Sequence, residues 1–232
     1  MQTPAEAHLI SRLCDFLPQE DGGPPPLILN IGAGRSALIE RRLADCGCRF
    51  RCDRIDVENC ELDPPLKGQA WRCSVEDMHP LGTARYDAAF ANYVLEHVAD
   101  LARAASEIFR VLKPGGLFIA SVPNLTAPEF LLARHAPERF QQIMTQGKGF
   151  HTCYAWNTIE DLTRIFRAHG FSIDEVRFWA FTEGYLWRYP VLNRLGRLYD
   201  RVVSGAGIKR LMGNVCISMV SPHADREDSE SA

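Results

Sequence analysis

The stretch LILNIGAGRS at residues 27–36 decides the fold that this sequence predicts. Apolar residues lead into Gly32-Ala33-Gly34, and a helical pattern begins at Ala37. A strand that turns sharply into a helix needs glycine, because Gly32 can adopt backbone angles closed to other residues and Gly34 lets a ligand approach the main chain. The helix start behind the turn supplies free N–H groups. The stretch predicts a cofactor cradle, with a plain tight turn as the alternative.

The composition indicates an ordinary globular protein. Its 232 residues are 46% hydrophobic and 24% charged, so we expect a single domain over residues 1–232. A net charge of −3 argues against a protein that binds nucleic acid. The sequence shows no charged-then-apolar leader and no apolar run of about 18 residues, so we expect a cytoplasmic protein that does not span a membrane.

Eight cysteines occur in the chain, and we expect them to be reduced thiols. Cys46, Cys48, Cys52 and Cys60 cluster, so a zinc site is the alternative. No second pair of cysteines or histidines with ligand spacing accompanies this cluster. We therefore predict no metal.

Helical and strand patterns alternate along the chain. We predict helices at residues 3–18, 100–112 and 157–169, and strands before Gly32 and at 50–57, 69–73, 86–94, 117–122, 171–179 and 214–220. Insertions at 125–150 and 180–212 and a disordered acidic tail at 222–232 complete the chain. This alternation predicts an α/β fold with a mostly parallel sheet, helices on both faces, and ligands beyond the carboxyl ends of the strands.

Asp56 ends the second predicted strand, about 20 residues after the glycine turn. A carboxylate at this position can accept hydrogen bonds from both hydroxyls of a ribose, although a solvated loop carboxylate is the simpler interpretation. NAD and any other adenosine cofactor fit this pattern equally well.

Six segments in order make the prediction more specific. They read LNIGAGRS (29–36), RIDVEN (54–59), CSVEDM (73–78), YDAAFANYVLEHVAD (86–100), EIFRVLKPGGLFIASVPN (107–124) and EDLTRIFRAHGF (160–171). Their order and spacing resemble the class I S-adenosylmethionine-dependent methyltransferases, in particular the branch that acts on small molecules. The resemblance implies a Rossmann-like seven-stranded sheet with an antiparallel last strand. It also implies methyl transfer from S-adenosylmethionine to a small organic acceptor, with oxygen as the expected acceptor atom and S-adenosylhomocysteine as the product.

The resemblance also implies roles for individual residues. The glycine turn would line the methionine part of the cofactor, Asp56 would hold the ribose, and Val75 and Glu76 would flank the adenine. The implied cofactor-binding set is Asn30, Gly32, Ala33, Gly34, Asp56, Val57, Ser74, Val75, Glu76, Asn92, Tyr93 and His97. If a hydroxyl accepts the methyl group, a general base helps to remove its proton. The candidate is His151, with Tyr154 and His97 as alternatives to it.

Two departures from the family pattern keep a second hypothesis open. Asn30 stands where an acidic residue is usual, and Ser36 stands where a third glycine is common. A catalytically inactive, methyltransferase-like binding or assembly protein is therefore the alternative function. An NAD-linked oxidoreductase is a third, but it would leave the LKPGG turn unexplained.

The second insertion carries a local excess of positive charge. Residues 183–212 hold six basic and two acidic side chains, together with an apolar helical face. This pattern predicts a surface for an anionic or lipid-linked acceptor, or a helix in peripheral contact with a membrane. A packed helix with a solvated basic face is the third interpretation. The sequence indicates no oligomeric state.

Overall fold

The structure is a computed structural model that describes residues 2–18, 23–61, 68–135 and 152–222. Seven strands form one sheet in the order β3-β2-β1-β4-β5-β7-β6. Strands β1 to β5 pair in parallel, whereas β7 runs antiparallel to both of its neighbours. The predicted fold class, including its antiparallel last strand, is confirmed.

The elements alternate as the sequence patterns indicated. The strands are β1 (Leu27–Ile31), β2 (Arg51–Asp56), β3 (Ala70–Arg72), β4 (Tyr86–Asn92), β5 (Leu112–Pro123), β6 (Ser172–Trp179) and β7 (Asn214–Val220). The helices are α1 (Pro4–Phe16), α2 (Leu38–Asp45), α3 (Leu101–Val111), α4 (Pro128–His135), α5 (Ile159–Ala168), α6 (Thr182–Tyr185) and α7 (Pro190–Ala206). Short 3₁₀ turns cover Leu95–His97 and Lys209–Leu211.

Each face of the sheet is covered by its own helices. On one face, α1 and α2 bury Leu9 and Leu43 against alternate residues of the central strands. On the other face, α3 and α5 bury Ile108 and Phe166 against the intervening residues. Because both faces are covered, β4 is apolar at nearly every position, as parallel strands in such sheets are.

Several predicted boundaries differ from those of the structure by one or more residues, and two of the differences have a clear physical cause. Helix α5 is capped by Thr158, whose side chain accepts the N–H of Asp161, and not by Asn157. Strand β5 begins at Leu112 and runs through the LKPGG segment, which the sequence pattern indicated as a turn ahead of the strand. That segment is held in the sheet because the N–H of Gly115 donates to the carbonyl of Ser221, and the N–H of Ser221 donates to the carbonyl of Gly116.

Helix α1 joins the two halves of the sheet. Its Glu6 accepts the side-chain N–H of Asn92 at the end of β4, at 3.0 Å. Further along, His8 Nε2 lies 2.7 Å from Glu175 Oε2, and Arg12 donates to Asp174 at 2.6 Å. The first helix of the chain is thus bonded to β4 and to β6.

Parts of both insertions can be described. The first contributes α4, and the second contributes α6, α7 and a 3₁₀ turn. His151 and residues 223–232 of the predicted tail lie outside the described residues. Over the residues with described structure, none of the helices combines the length and apolarity needed to cross a bilayer.

Candidate functional site

A cleft of about 300 Å³ opens at the carboxyl ends of β1, β2 and β4. This is the edge of a parallel sheet at which ligands bind. Its lining residues are Ile31, Gly32, Ile55, Asp56, Val57, Cys73, Ser74, Val75, Glu76, Tyr93, Val94, His97, Val98 and Ala99.

The glycine turn forms one wall of the cleft and accepts no larger residue at its first position. Gly32 has a φ of +66°, in the left-handed region that favours glycine. A Cβ built on Gly32 would lie 2.4 Å from a methyl carbon of Val94. The turn therefore passes too close to the segment after β4 for any side chain.

Asp56 is held in place from the turn above it. The N–H of Gly34 donates to Oδ2 of Asp56 at 2.8 Å, and the N–H of Glu58 donates to Oδ1 at 2.9 Å. A carboxylate oxygen has two lone pairs, so each of these oxygens can still accept one hydroxyl. The half-buried carboxylate is thus oriented to receive a diol in the cleft.

A buried ion pair supports the glycine turn from below. Arg54 and Glu40 are both almost fully buried, and the guanidinium of Arg54 donates to Oε1 of Glu40. The same guanidinium donates to the carbonyl oxygens of Ala33 (3.1 Å), Gly34 (3.3 Å) and Ser36 (2.8 Å). The conformation of the turn is therefore fixed by a charge that has no access to the cleft.

Asn30, which the resemblance implied as a cofactor ligand, belongs to this buried support. Its side-chain N–H donates to Oε1 of Glu40 at 2.7 Å, and Asn30 is absent from the lining of the cleft. Its position on β1 places it on the face covered by α1 and α2, together with Ile28. Asparagine in place of an acidic residue at this position therefore affects the buried support of the glycine turn. It does not change the charge of the cleft.

The segment after β3 forms the opposite wall. The hydroxyl of Ser74 accepts the N–H of Glu76 at 3.1 Å, which folds the segment back on itself. Oε1 of Glu76 accepts the N–H groups of Ala99 (2.8 Å) and Asp100 (2.7 Å). Glu76 thus ties this wall to the start of α3, while Val57 and Val75 supply apolar surface on either side of the cleft.

Tyr93 closes the cleft at the end of β4 and lies in the left-handed region, with a φ of 55°. Its hydroxyl lies 3.0 Å from Oγ1 of Thr3 and is hydrogen-bonded to Oδ1 of Asn214. Asn214 also donates to the hydroxyl of Tyr185 at 3.2 Å. Burial raises the pKa of Tyr93 above its ordinary range and that of Tyr185 to about 12, so both phenols are neutral near pH 7.

Glu96 lies three residues after Tyr93, in the 3₁₀ turn Leu95–His97, and is only 6% exposed. Its Oε2 is buried without a hydrogen-bond partner within the described ranges. Burial raises the pKa of this carboxyl to about 8. The carbonyl of Glu96 accepts the N–H groups of Cys153 (2.8 Å) and Tyr154 (3.2 Å), which brings the segment after the first insertion against this turn.

The predicted site residues fall into three groups. Eight of them line the cleft: Gly32, Asp56, Val57, Ser74, Val75, Glu76, Tyr93 and His97. Ala33, Gly34, Asn30 and Asn92 lie around it, where Gly34 holds Asp56 and the side chain of Asn92 is turned to Glu6. His151 lies outside the described residues, and Tyr154 packs beside the apolar core, with its N–H on Glu96.

Sequence reasoning missed Glu40 and Arg54. It considered Glu96, together with His97, as a cofactor contact or as a residue that fixes the local turn, and it did not assign Glu96 a role in proton transfer. A charged residue within the buried strand RCDRID is the one signal that pointed to Arg54. For Glu96, the signal was a carboxyl between Leu95 and Val98, both of which are buried.

The cleft fits an adenosine cofactor that carries an amino-acid tail. It combines an oriented carboxylate for a ribose diol, two valines that can flank a purine, and a glycine turn against which a chain can lie without meeting a Cβ. These features do not by themselves distinguish between cofactors that contain adenosine.

Comparisons with known proteins make this distinction. The family model described as "Methyltransferase domain" matches residues 5–176. The human mitochondrial ubiquinone biosynthesis O-methyltransferase is 27% identical over 88% of this chain, which spans 62% of the human protein's length. The corresponding Methylobacterium enzyme is 26% identical over 85% of this chain and 79% of its own.

A solved structure shows the same fold. The S-adenosylmethionine-dependent methyltransferase from Mesorhizobium loti superimposes with a TM-score of 0.60 and 19% identity, covering 94% of this chain and 98% of that one.

Proposed function

This chain belongs to the class I S-adenosylmethionine-dependent methyltransferases, and we propose on that basis that it transfers a methyl group from S-adenosylmethionine to an oxygen of a small organic acceptor. The observation that carries the proposal is the carboxylate of Asp56, fixed by the N–H of Gly34 at the floor of the cleft. The relatives are named as O-methyltransferases, and this supports oxygen as the acceptor atom.

The residues of the cleft have separate roles in this proposal. Asp56 accepts the two ribose hydroxyls, Val57 and Val75 flank the adenine, and Gly32 leaves space for the methionine part. When bound, S-adenosylmethionine would supply a methyl group already activated by its positive sulfur, so the protein mainly aligns the acceptor and excludes water. Tyr93, rigidly held by Thr3 and Asn214, forms the wall between this cofactor site and the acceptor.

Calorimetric titration tests the cofactor assignment. We expect the protein to bind S-adenosylmethionine and S-adenosylhomocysteine but not NAD. In Asp56→Ala, both affinities fall by about 100-fold, because two hydrogen bonds to a charged group are lost. Asp45→Ala, which removes an exposed carboxylate at the end of α2, is the matched control and should bind normally. Absence of binding of either sulfur compound to the wild-type protein would refute the proposal.

An exposed apolar stripe on α7 supports a lipid-linked acceptor. Val191, Leu195, Leu198 and Val202 recur at intervals of four, three and four residues, and each is more than half exposed. The flanking Trp187 is also exposed, and the guanidinium of Arg188 lies over its ring. Such a stripe with cationic neighbours fits the interface of a membrane with anionic lipids.

We infer that α7 brings a cytoplasmic enzyme into peripheral contact with the membrane in which its acceptor is dissolved. Vesicle flotation tests this inference. The protein should float with vesicles that contain anionic phosphatidylglycerol and less with purely zwitterionic ones. Leu195→Glu should abolish flotation, whereas Leu38→Glu, at an exposed leucine on α2, should not. Equal flotation of the two variants would refute a role for α7.

The inactive, binding-protein alternative rested on Asn30 and Ser36. The side chain of Asn30 serves the buried support of the turn, so its lack of charge does not argue for an empty cofactor site. The titration above also tests this alternative, because an inactive relative would bind neither sulfur compound.

A further inference from the structure

The carboxyl of Glu96 is a buried ionisable group beside the cleft, and the proposed function has given it no role. Its Oε2 has no hydrogen-bond partner among the described residues. An unpaired buried carboxyl oxygen destabilises a protein, and an apolar residue of similar size would avoid this penalty. Packing alone therefore does not account for a glutamate at this position.

Glu96 lies next to the place where the acceptor must lie. Tyr93 and His97, on either side of it in the chain, both line the cleft. In-line transfer requires the acceptor oxygen on the far side of the methyl group from the sulfur. The end of β4 lies between the cleft and α6, because Asn214 is hydrogen-bonded to both Tyr93 and Tyr185. Glu96 itself does not line the cleft. Its carboxyl lies near Tyr93 and Tyr185, and in the proposal below it meets the acceptor hydroxyl from this side of the turn after β4.

The neighbouring phenols do not take up Oε2 of Glu96. The hydroxyls of Tyr93 and Tyr185 are both hydrogen-bonded to Asn214. The negative charge of Glu96 contributes to the raised pKa of both tyrosines, so all three groups are close to one another. Both phenol hydroxyls are therefore already hydrogen-bonded, whereas Oε2 of Glu96 can still accept a hydrogen bond.

We propose that Glu96 is the general base of the methyl transfer, a proposal that rests on the function proposed above. The proton of the acceptor hydroxyl passes to Oε2 of Glu96 as the hydroxyl oxygen forms its new bond to the methyl carbon. The carbon–sulfur bond breaks, and its electron pair stays on the sulfur, which becomes neutral. The proton on Glu96 then returns to solvent after product release. The positive charge that the sulfonium loses therefore appears as one proton released for each turnover.

Burial raises the pKa of Glu96, and the groups described around its carboxyl supply no positive charge that would oppose this effect. Tyr93, which directly follows β4, and Tyr185 in α6 lie near it, and the carboxyls of Glu6 in α1 and Glu129 in α4 act on these two tyrosines. None of these four groups carries positive charge. The base is therefore ionised in only a minor fraction of molecules at pH 7, so kcat/KM should rise with pH and level off above pH 8.

The test uses two ring compounds that differ only in their hydroxyls. Catechol offers hydroxyl protons, and 1,2-dimethoxybenzene has the same ring without them. With ¹³C-labelled glutamate, the carboxyl signal of Glu96 is identified by its loss in Glu96→Gln. In the protein loaded with S-adenosylhomocysteine, catechol should shift this signal and 1,2-dimethoxybenzene should not. Titration of S-adenosylhomocysteine beforehand reports separately on the cofactor site.

Methyl transfer from labelled S-adenosylmethionine to catechol provides the second measurement. Glu96→Gln should bind the cofactor normally, lose at least about 100-fold in kcat/KM and lose the rise of kcat/KM with pH. Glu160→Gln, which changes an exposed carboxyl in the first turn of α5, is the matched control and should stay within about 3-fold of the wild type. The Glu96 proposal is overturned if Glu96→Gln keeps its activity within 5-fold, or if catechol leaves the carboxyl signal unchanged. Failure to bind S-adenosylhomocysteine would instead overturn the proposed function.

Discussion

The ion pair beneath the glycine turn is expected to contribute to stability and to cofactor affinity in separable ways. Glu40→Leu leaves the guanidinium of Arg54 buried without its partner, and Arg54→Met leaves the carboxylate of Glu40 in the same condition. Removing one member of a buried pair costs about 3–5 kcal/mol. Each single variant should lose a free energy of unfolding of this size.

The double variant Glu40→Leu/Arg54→Met separates the two contributions. Replacing both charges with apolar side chains removes the unpaired charge, so we expect it to recover about 2–3 kcal/mol relative to the sum of the single variants. The carbonyls of Ala33, Gly34 and Ser36 remain without the guanidinium that holds them. The turn is then free to change conformation, and affinity for S-adenosylhomocysteine should stay about tenfold below that of the wild type.

Urea unfolding followed by circular dichroism measures the first quantity, and calorimetric titration measures the second. Glu40→Gln, which keeps a hydrogen-bond acceptor near Arg54, provides a milder variant should the others fail to fold. The reasoning is refuted if both single variants lose less than about 1 kcal/mol, or if the double variant binds S-adenosylhomocysteine as well as the wild type.

Three further outcomes follow from the same structure. Gly32→Ala forces a positive φ and a clash with Val94, so cofactor titration should show a loss of binding, and normal affinity would contradict the close approach. The raised pKa of Glu96 means that the folded protein keeps a proton that the unfolded chain releases near pH 4.5, so stability falls as pH rises from about 4.5 to 8, by several kcal/mol; urea unfolding of Glu96→Gln should lack this slope, and parallel curves would refute it. Tyr86→Phe removes the 3.0 Å hydrogen bond to the fully buried Asp53 and should lower the free energy of unfolding by about 2 kcal/mol, which an unchanged urea midpoint would contradict.

The fold was predictable because the period of the apolar residues changes between strands and helices. The residues at which the helices and strands begin and end were less predictable. At the start of α5, Asn157 and Glu160 fit a capping box as well as Thr158 and Asp161 do, and the sequence offers no means of choosing between overlapping pairs. The LKPGG segment has turn residues, but its backbone groups are bonded to Ser221, which lies more than 100 positions later.

The functional site likewise has residues that the sequence predicts and residues that it does not. Gly32 and Asp56 were predictable, because a tight turn and a strand end leave local signals. The support formed by Arg54 and Glu40 was not, since its members come from different elements and its purpose appears only when the turn is folded above it. The use of Asn30 was misjudged for the same reason: a position on a strand determines which face a side chain occupies, and the partner on that face comes from α2.

The bonds of α1 also determine when folding can be completed. Its His8 and Arg12 pair with Glu175 and Asp174, 167 and 162 positions later in the chain. During synthesis on the ribosome, the first helix must therefore wait for β6 before the contacts of His8 and Arg12 can form, although Glu6 can bond to Asn92 earlier. Contacts so distant in sequence slow folding and leave apolar surface exposed in the meantime. Refolding should accordingly end with the docking of α1, and a chain interrupted before β6 should expose the helix to chaperones and proteases.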